Sequence, residues 1–404
     1  MTKNLTIYNN KIKYRNYQYN EQYLKRLNKF MNKKTKLIVG ALIIIVILVV
    51  GYLVSKGQSE PISTDPIKIG AILPLSGAAA FWGENVINGM NLAVEEINNS
   101  GGVDGRLIKV IAEDSKADVK EGVNAANKLL NIDNVFTLIT HTTAVSNAVV
   151  PLTEARQMPA IFDAADSAIP LNNKYAFKTF YDARKECKGL IEIANKRGIN
   201  KIGLLLPNAM PYAEDCIKGA NEVTDNIVNL RYIFRDRDFR TVLLKAKKEN
   251  VDAMLWIGFP FETNDIHKQR TELGINIPLL CGFKEECISD SAKEIIPQEY
   301  LNGMISFDFQ DISGGKFGKK YLSLYPETSS ESLVGAAFGY DELMLIANSL
   351  KGNKELDTEK FYEDMMKTEN YPSAMASKGF DENRILVLDT RLLEYKNGDW
   401  TEIK

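Results

Sequence analysis

From Ile67 onward the chain alternates between two hydrophobic rhythms. Short unbroken apolar runs are each followed by a stretch in which apolar residues recur every third or fourth position. The run IKIGAILP, residues 67–74, predicts a buried strand. Gly83 to Asn98 then sets Val86, Ile87, Met90, Val94 and Ile97 on one helical face, and Ser100-Gly101-Gly102 stops it. LIKVIAED (107–114), VFTLIT (135–140) and PAIFDAA (159–165) read as the next strands, with helices over Val119–Leu130 and Ala144–Arg156 between them. Past a boundary near Thr179–Asp182 the series restarts. Strands KIGLLLP (201–207), IVNLRYIF (227–234), DAMLWI (252–257) and IPLLC (277–281) alternate with helices Tyr212–Val223, Arg240–Asn250 and Glu262–Leu273. Two such series predict an α/β protein of two doubly wound parallel-sheet lobes, with helices on both faces of each sheet. Further on, Phe317–Leu324, Leu333–Leu350 and Thr358–Lys367 read as helices. The end, residues 385–403, is strand-rich, with Asn397-Gly398 as a hairpin turn.

Upstream of this pattern lies a different one. Leu37 to Val54 is eighteen residues without a charge. As a helix it would span roughly 27 Å, about the thickness of a bilayer core. Residues 1–36 carry ten Lys/Arg against the single acid Glu21, and Lys33, Lys34 and Lys36 abut the apolar run. Positive charge holds that side in the cytoplasm, so the rest of the chain is expected outside, on a single-pass anchor at 37–54. A cleaved signal peptide is the alternative; its apolar core is normally shorter, and no small-x-small cleavage pattern follows Val54. Residues 1–36 read as a disordered basic cytosolic tail, with Met31 as a possible alternative start, and 55–66 as a linker.

Composition narrows the function by exclusion. With 404 residues, 45% apolar, 25% charged and a net charge of −2, the chain is of average globular make-up and nothing global points to nucleic acid. Cys187, Cys216, Cys281 and Cys287 lack metal-type spacing, and two histidines, His141 and His267, make a zinc site an unlikely design. Cys187/Cys216 or Cys281/Cys287 pairs and buried free thiols both remain open readings. No nucleophile elbow, phosphate loop or dinucleotide turn is present, so the chain reads as no enzyme and needs no cofactor. His141 as a general base is outweighed by a structural or ligand-contacting role.

Residues 67–106 carry the strongest signal: a strand, Pro-Leu-Ser-Gly at its carboxyl end, an aromatic just before a glycine, an amphipathic helix and Gly-Gly-Val-x-Gly. This segment resembles the opening of the branched-chain amino-acid binding family, the type I periplasmic binding proteins. The resemblance runs on through Asp114, Ala176-Phe177-Lys178-Thr179, Asp238-Phe239-Arg240, Val251-Asp252-Ala253 and Ala336-Ala337-Phe338-Gly339-Tyr340-Asp341. It implies lobe one at about 67–179 plus 306–378 and lobe two at about 180–305 plus 379–404, joined by a three-strand hinge. The ligand would lie where the carboxyl ends of both sheets face each other, and closure would bury it.

Carried over position by position, the resemblance implies a pocket of Ser76, Phe81 or Trp82, His141, Thr142, Thr143, Ala164, Ala165 and Asp166 from lobe one. Lobe two would add Tyr212, Phe259 and Lys284. Two positions depart from the family. Asp166 stands where amino-acid binders have a small hydroxyl residue under the ligand's carboxylate, and Lys284 where they have an acid for its ammonium. A negative charge about 4 Å from a bound carboxylate costs roughly 4 kcal/mol at an effective dielectric near 20, about a thousandfold in affinity. An amino acid bound in reversed polarity, a different polar molecule, an Asp166–Lys284 pair formed on closure, or two solvated rim charges are the readings left. The implied function is capture of a small polar ligand for an ABC importer whose permease and ATPase are separate chains. A membrane-anchored sensor with the same lobes is the alternative.

Overall fold

The computed structural model describes residues 65–403 apart from Ala78, Ala209, Arg235, Phe259, Gln310 and Asp311, together with the isolated positions Lys33, Lys34, Ile38 and Ile45. The basic tail, the apolar run 37–54 and most of the linker therefore lie outside the described residues. Among the described residues no helix is long and apolar enough to cross a membrane.

Two sheets organise the chain. The first is β2 (Ile108–Asp114), β1 (Ile67–Leu73), β3 (Thr137–His141), β4 (Ala160–Asp163) and β5 (Ala176–Lys178), in that order, all parallel. The second runs β12 (Asp399–Glu402), β11 (Thr390–Lys396), β10 (Ile305–Phe309), β9 (Leu279–Phe283), β8 (Ala253–Trp256), β6 (Ile202–Pro207), β7 (Ile227–Tyr232). Its strands are parallel from β7 to β10, and the β11–β12 hairpin closes the far edge antiparallel. Each sheet reverses its strand order beside its first strand. At that point the flanking loops part and leave a crevice at the carboxyl ends.

Burial on both faces explains the unbroken apolar runs. Along β1, Ile69, Ala71 and Leu73 enter one core with Val86, Met90, Phe338 and Leu343, while Ile72 enters the opposite one with Leu129, Val145 and Phe162. Helix α1 (Ala80–Asn99) follows β1, α2 (Val119–Lys128) follows β2 and passes into a π turn at Leu129–Asp133, and α3 (Thr143–Glu154) follows β3. In the second unit of the pattern α4 (Ala183–Lys196) precedes β6, and α5 (Pro211–Asn221), α6 (Arg240–Lys248) and α7 (Pro260–Glu272) follow β6, β7 and β8. Helices α8 (Lys316–Leu324), α9 (Ser330–Ser349) and α10 (Thr358–Lys367) return to the first sheet. Contact between α1 and α9 is backbone-close. A Cβ on Gly89 would lie 1.9 Å from the Ala336 carbonyl oxygen, and one on Gly339 2.2 Å from that of Val86.

The expected helices agree within a few residues, but three elements were not read from the pattern. Helix α4 lies just past the expected boundary, set by Asp182, whose carboxylate accepts from the Arg184 and Lys185 amides. Strands β5 and β10, three and five residues long, are too short to show a period. Strand β10 also corrects the expected crossing at 305/306, because all of it pairs into the second sheet. Likewise Phe380, Leu386 and Leu388, expected in lobe two, pack on the core of the first sheet. Both cysteine pairs are disulfides: Cys187–Cys216 ties α4 to α5, and Cys281–Cys287 ties β9 to the turn after it.

Candidate functional site

The carboxyl ends of the two sheets face each other, and loops from both meet. Ala165, after β4, packs among Tyr212, Ala213 and Cys216 of the second lobe, and the Ser167 amide donates to Asp215 Oδ2 on α5 at 3.3 Å. The lobes are therefore in contact along one side of the crevice.

On the first lobe, the loop after β1 is gripped by Asp114. Its carboxylate accepts from the Leu75, Ser76 and Lys116 amides and from Ser76 Oγ at 2.5 Å. Burial works against the charge, but the Ser76, Lys116 and Leu75 donors overcome it and hold the Asp114 carboxyl below its ordinary value. Ser76 sits at the rim with its proton spent on Asp114. Phe81 is exposed, whereas Trp82 is half-buried against Phe180 and Phe338. The loop after β3 is strained: Thr142 has φ 75°, a region a β-branched residue rarely enters. Its Oγ1 is buried without a hydrogen-bond partner, at the start of α3 where amides point outward. Thr143 Oγ1 accepts from the Ala165 amide at 3.2 Å and so joins the loops after β3 and β4.

His141, expected to touch ligand, is instead fully buried beneath this loop. Its Nδ1 lies 3.2 Å from Asp163 Oδ1 and its Nε2 3.0 Å from Glu342 Oε2 on α9. Burial alone would lower its pKa; Asp163 and then Glu342 outweigh that and hold it up to about 10. Two flanking carboxylates at these distances favour the imidazolium, and Trp82 Nε1 competes for Nδ1 at 3.3 Å. Glu342 also accepts from Thr179 Oγ1 at 2.8 Å, which pins the start of the passage between lobes. The three residues bring potential metal-ligand atoms within 4.8 Å of one another. With Asp163 and Glu342 each within 3.2 Å of the ring, the set reads as a buried ion triplet.

On the second lobe, Tyr212 is buried at the start of α5. Lys284 turns to the hinge strands, where its ammonium and the Arg391 guanidinium share Asp308 Oδ2 at 2.9 and 2.7 Å. Asp166 is equally occupied: its oxygens accept from Asn147 Nδ2 and the Ala168 amide, both at 2.9 Å. The structure thus does not pair Asp166 with Lys284. Phe259 lies outside the described residues.

Two acids that the sequence reading passed over come together instead. Glu186, in the first turn of α4, is 8% exposed and neither carboxylate oxygen has a hydrogen-bond partner. A Cβ on Gly282, at the end of β9, would stand 2.3 Å from Glu186 Oε1 and 2.8 Å from Glu286 Oε2, so both carboxylates converge over that glycine. Tyr181 donates to Glu286 Oε1 at 3.4 Å. Burial first, then the nearby Glu286 and Asp182 charges, push the Glu186 carboxyl well up, with Lys178 opposing weakly. One signal existed in the sequence. Glu286 lies two residues after Lys284, between Cys281 and Cys287.

Residues 66–399 match the family model described as periplasmic binding protein. The Leu/Ile/Val-binding protein BraC3 of Rhizobium johnstonii is 27% identical over 253 residues, covering 57% of this chain and 65% of that protein. The chain thus spans just under two thirds of that relative. The leucine-, isoleucine-, valine-, threonine- and alanine-binding protein of Pseudomonas aeruginosa is 22% identical over 86% of this chain and 94% of its own. Among solved structures, LivJ of Streptococcus pneumoniae in complex with isoleucine superposes with a TM-score of 0.70 at 25% identity, over 83% of this chain and 97% of that one. An R. palustris solute-binding protein in complex with benzoate superposes at 0.69 and 19%, over 84% and 95%.

Proposed function

The chain belongs to the periplasmic binding protein family, and we propose that it captures a small polar solute between its lobes and delivers it to an ABC importer. The observation that carries this reading is the crevice itself. Loops from both sheets meet there, and they present buried polar atoms with no partner in the protein: Thr142 Oγ1, Ser167 Oγ and the Glu186 carboxylate. Unsatisfied buried groups are expensive, and a ligand that bonds to them recovers that cost. Binding and release, rather than turnover, is the chemistry such a crevice supports.

Relatives whose names record amino acids and aromatic acids bound in the same fold favour an amino acid or a related organic acid or amide. The contacts we assign are Trp82, Thr142, Thr143, Ala164 and Ala165 from one lobe and Tyr212 from the other, with Ser76 and Phe81 at the rim. Lobe one comprises the 67–179 segment with the helices from 316 onward, and lobe two the 180–309 segment with the closing hairpin. The apolar run 37–54 would anchor the lobes on the extracytoplasmic side, with permease and ATPase on other chains. Native mass spectrometry of protein purified from its own host tests the reading: a retained small molecule, lost on unfolding, is expected. A bare protein that also gives no thermal shift across a broad solute screen would refute it.

A further inference from the structure

The passage from β5 to α4, residues 179–182, carries the chain from the first sheet into the second lobe, and each of its residues is tied. Thr179 gives its amide to the Phe162 carbonyl at 3.2 Å and its hydroxyl to Glu342 Oε1 at 2.8 Å. Asp182 caps α4. Phe180 and Tyr181, between them, lie in neither sheet nor helix, and both their carbonyl oxygens accept from one side chain. The Lys178 ammonium reaches forward to them at 2.6 and 2.7 Å.

Lys178 is fully buried, and among the described residues no carboxylate bonds it. Asp182 and Asp163 attract its charge only from further off, and Lys185 opposes them. An ammonium buried away from any bonded carboxylate is costly, so what its N–H donors hold is the reason for a lysine here. Its main chain makes a second tie. The Lys178 amide donates to the Arg384 carbonyl and the Leu386 amide to the Lys178 carbonyl, both at 2.8 Å. The segment that leads on to β11 is thus fastened to the same residue. The two held residues also carry rings that join the lobes. Phe180 meets Trp82 edge-on at a centroid distance of 6.2 Å and Phe338 at 5.4 Å, both of the first lobe. Tyr181, 4.1 Å from Phe180, meets Phe283 of the second lobe at 4.8 Å.

We propose that Lys178 is a positioning residue for solute capture: its ammonium splints the passage and so fixes the angle between the lobes and the ring bridge that joins them. This rests on the solute-binding reading above, in which the lobes swing. A swing about this passage turns φ and ψ within 179–182, and the Phe180 and Tyr181 carbonyls cannot both stay on one ammonium while that happens. A hydrogen bond to a charged group shifts such an equilibrium by about tenfold or more, so the splint holds the empty protein near one angle.

Pulsed electron paramagnetic resonance on the whole protein tests this, after any bound solute is removed by dialysis in mild urea. Spin labels go on ketone side chains introduced at Glu84, near the start of α1, and Asn208, just past β6; both positions are exposed, and both disulfides stay intact. The parent should give one dominant distance between the lobes. In Lys178→Met, which keeps most of the side chain's length without its donors, the share of molecules outside that peak should rise at least about tenfold. The near-ultraviolet circular dichroism of the ring bridge should weaken with it. Lys178→Gln, with one amide group left to donate, should fall between the two, and it carries the test if the Met variant does not fold. A lysine that merely fills the core predicts a shifted unfolding midpoint with an unchanged distance distribution. That result, in whichever variant folds, overturns the proposal, as does a parent spread over many distances. Neither result bears on whether native mass spectra show a retained solute, so solute capture stands or falls separately.

Discussion

The buried His141 ring should give this protein a pH-dependent stability that one substitution removes. In the folded chain the imidazolium is held to about 10 by Asp163 and Glu342, against an ordinary value of 6.5. A folded-state pKa raised in this way adds stability that is complete below 6.5 and drains as pH rises through 10. The slope is about 1.4 kcal/mol per pH unit. Other buried groups work in the opposite sense: His267, lowered to about 3, is largely spent below pH 7, and Arg270, lowered to about 10, acts above the range used here, which leaves Lys178. Burial lowers Lys178 from 10.5 to about 8, so its contribution recovers as pH rises between those values. From pH 7 to 8 the His141 term therefore acts alone, and above 8 the two largely cancel. Asp341, raised to about 7 by burial, finishes titrating at the lower edge of the window and is common to parent and variant. Urea unfolding should show the parent losing about 1.4 kcal/mol from pH 7 to 8 and little more by pH 9.5. His141→Gln should start about 3–5 kcal/mol lower, because two carboxylates are left buried without a cation. It should be flat from pH 7 to 8 and then gain stability up to pH 9.5. Equal slopes for parent and variant between pH 7 and 8 would mean that the ring is neutral, and the triplet as described here does not exist.

Gly89→Ala puts a Cβ 1.9 Å from the Ala336 carbonyl oxygen, so α1 and α9 must separate. The expected cost is about 1–3 kcal/mol, read as a fall in Tm of roughly 2–4 °C per kcal/mol. Thr142→Gly relieves the φ 75° strain and should raise stability by about 1 kcal/mol while weakening solute binding, measured by thermal unfolding and titration on the same sample. A variant equal to the parent in both would remove Thr142 from the site. Removing the Cys187–Cys216 bridge, which spans 29 residues, by Cys187→Ala with Cys216→Ala should cost about 3–4 kcal/mol by loop-closure entropy, measured as the denaturation midpoint against the parent.

Much of the fold was legible because its strands are buried on both faces. β1 and β6 each lie between two neighbouring strands and are buried along almost their whole length, so their apolar runs stand out from the helical spacing around them. Short strands such as β5, three residues long, carry no period to read. The site was harder for a related reason. Thr142 and Thr143 follow the end of β3 and Ala165 follows that of β4, so they could be placed by counting from the strand. His141 could not, because the residue that ends β3 points either outward or into the core, and Glu342, which settles the matter, is 201 residues away in sequence. Lys284 and Asp166 were expected in the crevice, but their partners Asp308 and Asn147 come from elsewhere in the chain, where no local pattern could show them.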